Sequence, residues 1–425
     1  MSEEAVHRRP PEWLILTIVF LCAVVLVISR RPDAVTNPQF FGEDGFWFAK
    51  VHDDGPLGAL LAANPNRGYF YAVPMLGACL GMLLPLLYAP LVMNGIAIVI
   101  MAAPAVVVCS SRFAAAVPPL WGRAAIALLY IALPNTWGLI GSAITSQWYH
   151  GALGLAIVLA TPSERVAWRI FDVVALLLLG LSGPIALFLV PVIALKWWMR
   201  RESWMIPLFG IAAVTSAIQV VSTILREPSS TMPVEIGATP IAFLKLMAVR
   251  ILYAVTLGEA RTLELVTGEP SLWTNTATVA LAGLAVLAVL AVAAWKGPLE
   301  LKLVLVFTVL ITAGSLAGPM PLAYTQPYWE VLARPGAGNR YFFFPVLALL
   351  IALLWAATRP LLVARIAGIA ALAVACIGGI RLDWREAPHR DFNYPSYVRQ
   401  YEMAAPGERV QIPHPPNVGL VITKR

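Results

Sequence analysis

Apolar runs about as long as a bilayer's hydrocarbon core is thick recur along the chain, each closed by a charge, a proline or a glycine. Lipid offers a backbone no hydrogen bonds, so such runs predict spanning helices of roughly 20 residues. Eleven stand out, with 10 to 12 as the range: Trp13 to Ser29, Tyr88 to Val108, Trp121 to Pro134, Trp148 to Ala160, Trp168 to Leu181, Pro184 to Trp198, Trp204 to Leu225, Ala277 to Trp295, Leu299 to Ala317, Tyr341 to Ala357 and Leu361 to Ile380. The pattern predicts an all-α polytopic membrane protein, with interfacial helices in its external loops. Residues 1–380 form the transmembrane unit, 30–87 its first external loop, and 381–425 a short external tail that is either an ordered lid or a loose extension.

The segment Tyr69 to Leu84 is apolar enough to cross, but it carries Pro74, Gly77 and Gly81, and Pro85 follows at once. Including it would invert every later span. Short basic loops face the cytoplasm, which decides the parity. Without it, Arg8/Arg9, Arg112/Arg123, Arg165/Arg169, Lys196/Arg200/Arg201, Lys296/Lys302 and Arg359/Arg365 all fall on the N-terminal side. The expectation is an N-terminus in the cytoplasm, with the long segments outside and Tyr69 to Leu84 lying in or re-entering the outer leaflet. Ser29-Arg30-Arg31-Pro32 follows the first span where a small-residue cleavage site would stand, so that span reads as retained.

Composition sharpens the class. Of 425 residues, 59% are apolar and 12% charged, with mean hydropathy +0.77, which excludes an ordinary soluble enzyme. The net charge of +7 comes from cations scattered in ones and twos, a pattern of membrane-side anchors and not of a nucleic-acid surface. Cys22, Cys79, Cys109 and Cys376 sit in apolar stretches without metal-ligand spacing. No acid or base occupies a confident midplane position, where a charge costs roughly 2.5–3.5 kcal/mol on insertion scales. Chemistry is therefore expected in the outer loops.

Four outer stretches carry it. Phe40-Phe41-Gly42-Glu43-Asp44-Gly45-Phe46-Trp47-Phe48 sets an acidic pair between aromatic clusters at headgroup depth. Asp44 reads either as the N-cap of a short interfacial helix or as a catalytic carboxylate. Asp53-Asp54-Gly55-Pro56 reads as a helix stop. In Arg334-Pro335-Gly336-Ala337-Gly338-Asn339-Arg340-Tyr341-Phe342, a Gly-rich turn delivers Arg340 to lipid-phosphate depth, where its forked donors match phosphate oxygens. Ser146-Gln147-Trp148-Tyr149-His150 offers a lone histidine, a structural residue or a ligand contact. Lys245 and Arg250, on the apolar segment Pro240 to Gly258, predict an interfacial amphipathic helix facing an anionic headgroup. No nucleotide loop, serine elbow or HExxH is present.

The layout resembles the glycosyltransferase-C superfamily, through Phe41-Gly42-Glu43-Asp44, Ser146-Gln147-Trp148-Tyr149-His150 and Gly338-Asn339-Arg340-Tyr341-Phe342. The likeness runs to about Ile380. This chain departs from the larger members in having a short tail where they carry a folded external domain, which leaves acceptor recognition to the loops. The resemblance implies an integral membrane glycosyltransferase of the bacterial plasma membrane, active on the outer face and serving cell-envelope polysaccharide biosynthesis. It would move a hexosyl or pentosyl unit from a polyprenyl-phosphate sugar to a glycan, lipid or protein acceptor. In that reading Asp44 is the general base and Glu43 its backup or a metal-adjacent group, the reaction inverts, and Arg340 stabilises the leaving phosphate. His150, Lys245 and Arg250 are further donor or phosphate contacts. No metal ligands are assigned, and a divalent cation stays open as an accessory. The alternatives are a flippase or exporter of lipid-linked saccharides and a membrane sugar acyltransferase, the last centred on His150.

Overall fold

In the computed structural model, which describes residues 10–63, 68–225, 235–269, 271, 274–318 and 327–425, the protein is 71% helical. One-turn helices aside, the elements in chain order begin with α1 (Glu12–Arg30), α2 (Glu43–Leu60), α3 (Ala72–Gly81), α4 (Ala89–Cys109), α5 (Leu120–Ile131), α6 (Gln147–Leu159) and α7 (Val166–Gly180). There follow α8 (Ile185–Arg200), α9 (Met205–Ile224), α10 (Pro240–Leu257), α11 (Glu259–Thr267), α12 (Thr276–Lys296), α13 (Leu299–Ala317), α14 (Asn339–Ala357), α15 (Leu362–Ile380) and α16 (Tyr394–Met403). The antiparallel strands β1 (Arg409–His414) and β2 (Val418–Thr423) close the chain.

Among the described residues, eight helices are long and apolar enough to cross a membrane: α1, α4 with the turn before it, α9, α10, α12, α13, α14 and α15. The expected count of eleven differs for two reasons. Four of the predicted spans form helices of only 12, 13, 15 and 16 residues (α5, α6, α7 and α8). The fourth outer segment, expected to lie flat as an amphipathic helix, is instead α10, of 18 residues. Leu246, Met247, Ala248, Val249, Arg250 and Ile251 are buried along it, so its face is covered by other helices and not by headgroups. Residues 69–84 fold as the 10-residue α3, about 15 Å long, roughly half of a ~30 Å core.

Small residues set the helix spacing, as expected where lipid removes the hydrophobic drive between helices. A Cβ on Gly283 of α12 would stand 2.1 Å from the Leu244 carbonyl of α10. One on Gly378 of α15 would stand 1.8 Å from the Thr256 carbonyl. α10 is thus pinned at both ends by glycines.

Long-range hydrogen bonds define two ends of the bundle. Glu12 accepts from the Ser111 amide at 2.8 Å and pairs with Arg165 at 3.5 Å, which puts the start of α1, the end of α4 and the start of α7 together. At the other end Arg30, 1% exposed, donates to the carbonyls of Ile131, Leu133, Asp383 and Trp384 and to Thr136. Arg31 beside it pairs with Glu386 at 3.2 Å. These arginines tie the last residues of α1 to the loop after α5 and the chain after α15.

The tail is ordered, and its hairpin is an exception to the all-α expectation. Val410, Ile412, Leu420 and Ile422 point inward and join Phe40, Trp47, Phe48 and Tyr394 in one apolar cluster. Each such aliphatic side chain stabilises by roughly 1.5–3 kcal/mol on burial, enough to hold β1 and β2 on α2.

Candidate functional site

The acidic pair is delivered by a turn at Gly42, whose φ of +55° suits a residue without a Cβ. The Gly42 amide donates to the Pro415 carbonyl at 2.8 Å, so the tail fixes this turn. Helix α2 begins at Glu43. Its next residue, Asp44, is 0% exposed. Asp44 Oδ2 accepts from Ser142 Oγ at 2.8 Å and from the Ala143 amide at 3.1 Å, and Oδ1 accepts from the Ile144 amide at 2.7 Å. The carboxylate therefore caps the turn that leads into α6, and does not cap its own helix. Burial pushes its carboxyl up to about 7; the three donors pull the other way and the neighbouring Glu43 adds to the rise. A carboxylate has about four acceptor positions, and three are occupied here. Glu43 is half-buried.

Gly336 (φ +89°) and Gly338 (φ +62°) turn the chain into α14, which opens with Asn339 and Arg340. The guanidinium of Arg340 lies 4.8 Å from the Tyr341 ring centre, and Nη2 donates to the Tyr341 hydroxyl at 3.1 Å. Tyr69 and Tyr71 lie within its electrostatic reach. Tyr71 donates to the Tyr69 hydroxyl at 2.9 Å, and its ring is 5.8 Å from Trp47, one turn along α2 from Asp44. Among the described residues no carboxylate forms an ion pair with Arg340. A half-buried arginine ringed by three phenols at a helix N-terminus is chemistry suited to an oxyanion.

Arg250 supports this arrangement from behind. It lies in the π-helical stretch Ala248–Tyr253 of α10 and is 0% exposed. It donates to the Arg334 carbonyl and to Asn339 Oδ1, and sits 4.8 Å from the Phe342 ring centre. The same Asn339 Oδ1 accepts from the Gly336 amide at 3.0 Å, and its Nδ2 donates to the Trp137 carbonyl at 3.3 Å. Arg250 thus holds the turn that presents Arg340 and does not itself face a headgroup.

The other expected contacts lie elsewhere. Lys245 is within electrostatic reach of Glu330. His150 is buried in α6, with its ring bonded to the backbone of Ala175 in α7, inside the bundle. Asp53 accepts from the Thr423 amide at 3.2 Å and contacts His52 at 2.7 Å, so it ties α2 to β2 in addition to preceding the kink at Gly55. Among the described residues no three His, Cys, Asp or Glu side chains group as metal ligands.

Two features escaped the sequence reading. The Tyr69 to Tyr71 alternation was the available signal for the phenols, inside a segment valued only for its apolarity. The acids of the tail had none. Asp383 accepts from the amides of Asn135 and Glu259, and Glu386, pushed up to about 7 by burial, receives the Thr136 hydroxyl at 3.0 Å.

Compared with known proteins, the chain matches no family model, no curated protein and no solved structure.

Proposed function

We propose that the protein is an integral membrane glycosyltransferase that draws its sugar from a polyprenyl-phosphate donor at the Arg340 end of the bundle. The observation that supports this most is Arg340, set among Tyr69, Tyr71 and Tyr341 with no carboxylate pairing it among the described residues, and joined through Trp47 to the helix that starts with Glu43 and Asp44. An acceptor hydroxyl attacks the anomeric carbon, the bond from that carbon to the phosphate oxygen breaks, and the hydroxyl proton passes to a carboxylate. Arg340 and the phenols stabilise charge growing on the departing phosphate. One base implies inversion.

The geometry favours Glu43 over Asp44 as that base. A base must reach the hydroxyl it deprotonates, and Asp44 is fully enclosed with both oxygens engaged. Asp44 then acts as a positioning residue that holds the first turn of α2 against Ser142, Ala143 and Ile144. In this reading α5, α6, α7 and α8 cross as short helices where the bilayer thins, α10 stays on the outer side without crossing, and the chain crosses eleven times with Arg340 outside a bacterial plasma membrane. The acceptor is a glycan, lipid or protein presented to the outer loops.

The test is purified protein incubated with a panel of polyprenyl-phosphate sugars and assayed for released lipid phosphate. Release that Glu43→Gln abolishes and correctly inserted Asp44→Asn only weakens supports the assignment. Absence of release from every donor, together with lipid-phosphate binding unchanged by Arg340→Ala, sinks it.

A further inference from the structure

Asn339 opens α14 immediately before Arg340 and is buried. A side-chain amide offers two accepting and two donating positions, and here all four are taken. Its Oδ1 accepts from the Gly336 amide at 3.0 Å and from Arg250. Its Nδ2 donates to the Trp137 carbonyl at 3.3 Å and to the carboxyl of Glu259. Gly336 belongs to the same turn and Arg250 to α10. The other two partners come from further off, Trp137 from the loop after α5 and Glu259 from the first residue of α11.

Both of those segments end on one carboxylate. Asp383, three residues beyond α15, accepts from the Glu259 amide at 2.9 Å on Oδ1 and 3.1 Å on Oδ2, and from the Asn135 amide at 3.0 Å on Oδ2. Asn135 lies two residues before Trp137, and the two amides stand 124 and 248 residues from Asp383 in the chain. A Cβ on Gly258 would stand 2.9 Å from Oδ1, so a glycine there lets the carboxylate approach. Asp383 is itself fixed: its amide donates to the Gly379 carbonyl at 2.9 Å, and its own carbonyl accepts from the buried Arg30 at 3.3 Å.

We propose that Asp383 is a positioning residue for Arg340: by binding the Glu259 and Asn135 amides with one carboxylate, it fixes the two outlying supports of Asn339, and through Asn339 it sets where α14 begins and how it presents the Arg340 guanidinium. Asp383 touches no phosphate itself. Its effect on ligand binding rests on the reading of Arg340 as the phosphate site, whereas its hold on the turn at residues 334–341 does not.

The test uses the full chain in phosphatidylcholine nanodiscs, titrated with polyprenyl phosphate and followed by fluorescence. Asp383→Asn keeps one accepting oxygen but turns N–H donors toward amides that need an acceptor. Affinity should fall about fivefold, within the coupling of residues that share one hydrogen-bond network. In an Arg340→Ala background the same substitution should cause no further loss, because the effect passes through Arg340. In the protein without lipid phosphate, amide exchange across residues 334–341 should rise relative to α12. Glu259→Ala, which removes one support of Asn339, carries the same expectations if Asp383→Asn does not fold. A merely structural role would lower the unfolding midpoint and leave the affinity of the folded protein alone. Parental affinity, an equal loss with and without Arg340, or unchanged exchange at 334–341 overturns the proposal. Parent protein whose binding ignores Arg340→Ala overturns the reading of Arg340 instead, and exchange at 334–341 then decides whether Asp383 places the turn.

Discussion

The backbone amide of Ile144 donates to Oδ1 of Asp44 at 2.7 Å, across 100 residues of chain. With Ser142 and Ala143 on the other oxygen, this bond makes one carboxylate the joint between α2 and the approach to α6. Removing it leaves three buried donors without an acceptor, each costing roughly 1–3 kcal/mol. Asp44→Ala is therefore expected to lose at least about 3 kcal/mol of stability, read as a lower midpoint in detergent thermal unfolding. A midpoint within a degree of the parent would refute the joint.

Glu43→Gln separates position from chemistry. Glu43 is half-buried at the first helical position, next to Asp44. The variant should unfold like the parent, within about 0.5 kcal/mol as for a surface substitution, while kcat for sugar transfer falls by 10²-fold or more, in the range removed with a general base. Equal kcat in the two proteins would exclude Glu43 as base.

Arg340→Lys keeps the charge and loses the fork that meets two oxygens at once. Affinity for a polyprenyl phosphate should fall about tenfold, or ~1.4 kcal/mol, by fluorescence titration. Tyr71→Phe, which removes the donor to Tyr69, should weaken binding by a smaller factor. Lysine binding as tightly as arginine would argue against a bidentate contact.

Two buried acids outside the spans make stability depend on pH. Asp44 and Glu386 are both raised to about 7 by burial. A raised acid is protonated in the folded state while the unfolded chain is ionised, so its contribution is complete below about pH 4 and is lost as pH climbs to 7. His389, lowered to about 3 by burial and then by Arg31, acts in the opposite sense, stabilising above pH 6.5 and less as pH falls through that value toward 3. The measurement that isolates one group is a difference. The midpoint of Glu386→Gln minus that of the parent should rise between pH 5 and pH 8, and a flat difference would show that Glu386 does not titrate there.

Ile412→Asp tests whether the hairpin holds α2. Ile412 is 0% exposed against Phe40, Trp47 and Phe48. A carboxylate there should free β1 and β2 and raise amide exchange across residues 43–54 relative to α13. Unchanged exchange would show that α2 stands without the tail.

What could be read in advance follows from how local each cause is. The apolar length of Glu12–Arg30 or Thr276–Lys296 is a property of consecutive residues, and both appear as expected helices. Segment Pro240–Leu257 misled because Lys245 and Arg250 look like interfacial charges. Arg250 is turned inward and satisfied by Arg334 and Asn339, partners that no local window contains. Asp44 stands at the start of α2, but its donors come from residues 142–144, which no local window contains, so it caps the approach to α6 and not its own helix. The ring of phenols at Arg340 assembles from residues 69, 71 and 341, and only the last adjoins it in sequence.

The hydrogen bond from the Thr423 amide to Asp53 spans 370 residues. With the bond from Gly42 to Pro415, it makes α2 dependent on strands synthesised after every spanning helix. Loop closure over such a distance comes late in folding. The Glu43 turn therefore stays unfinished throughout membrane insertion, until residues 409–423 have docked. A chain halted before residues 409–423 would be inserted yet lack the docked hairpin on α2.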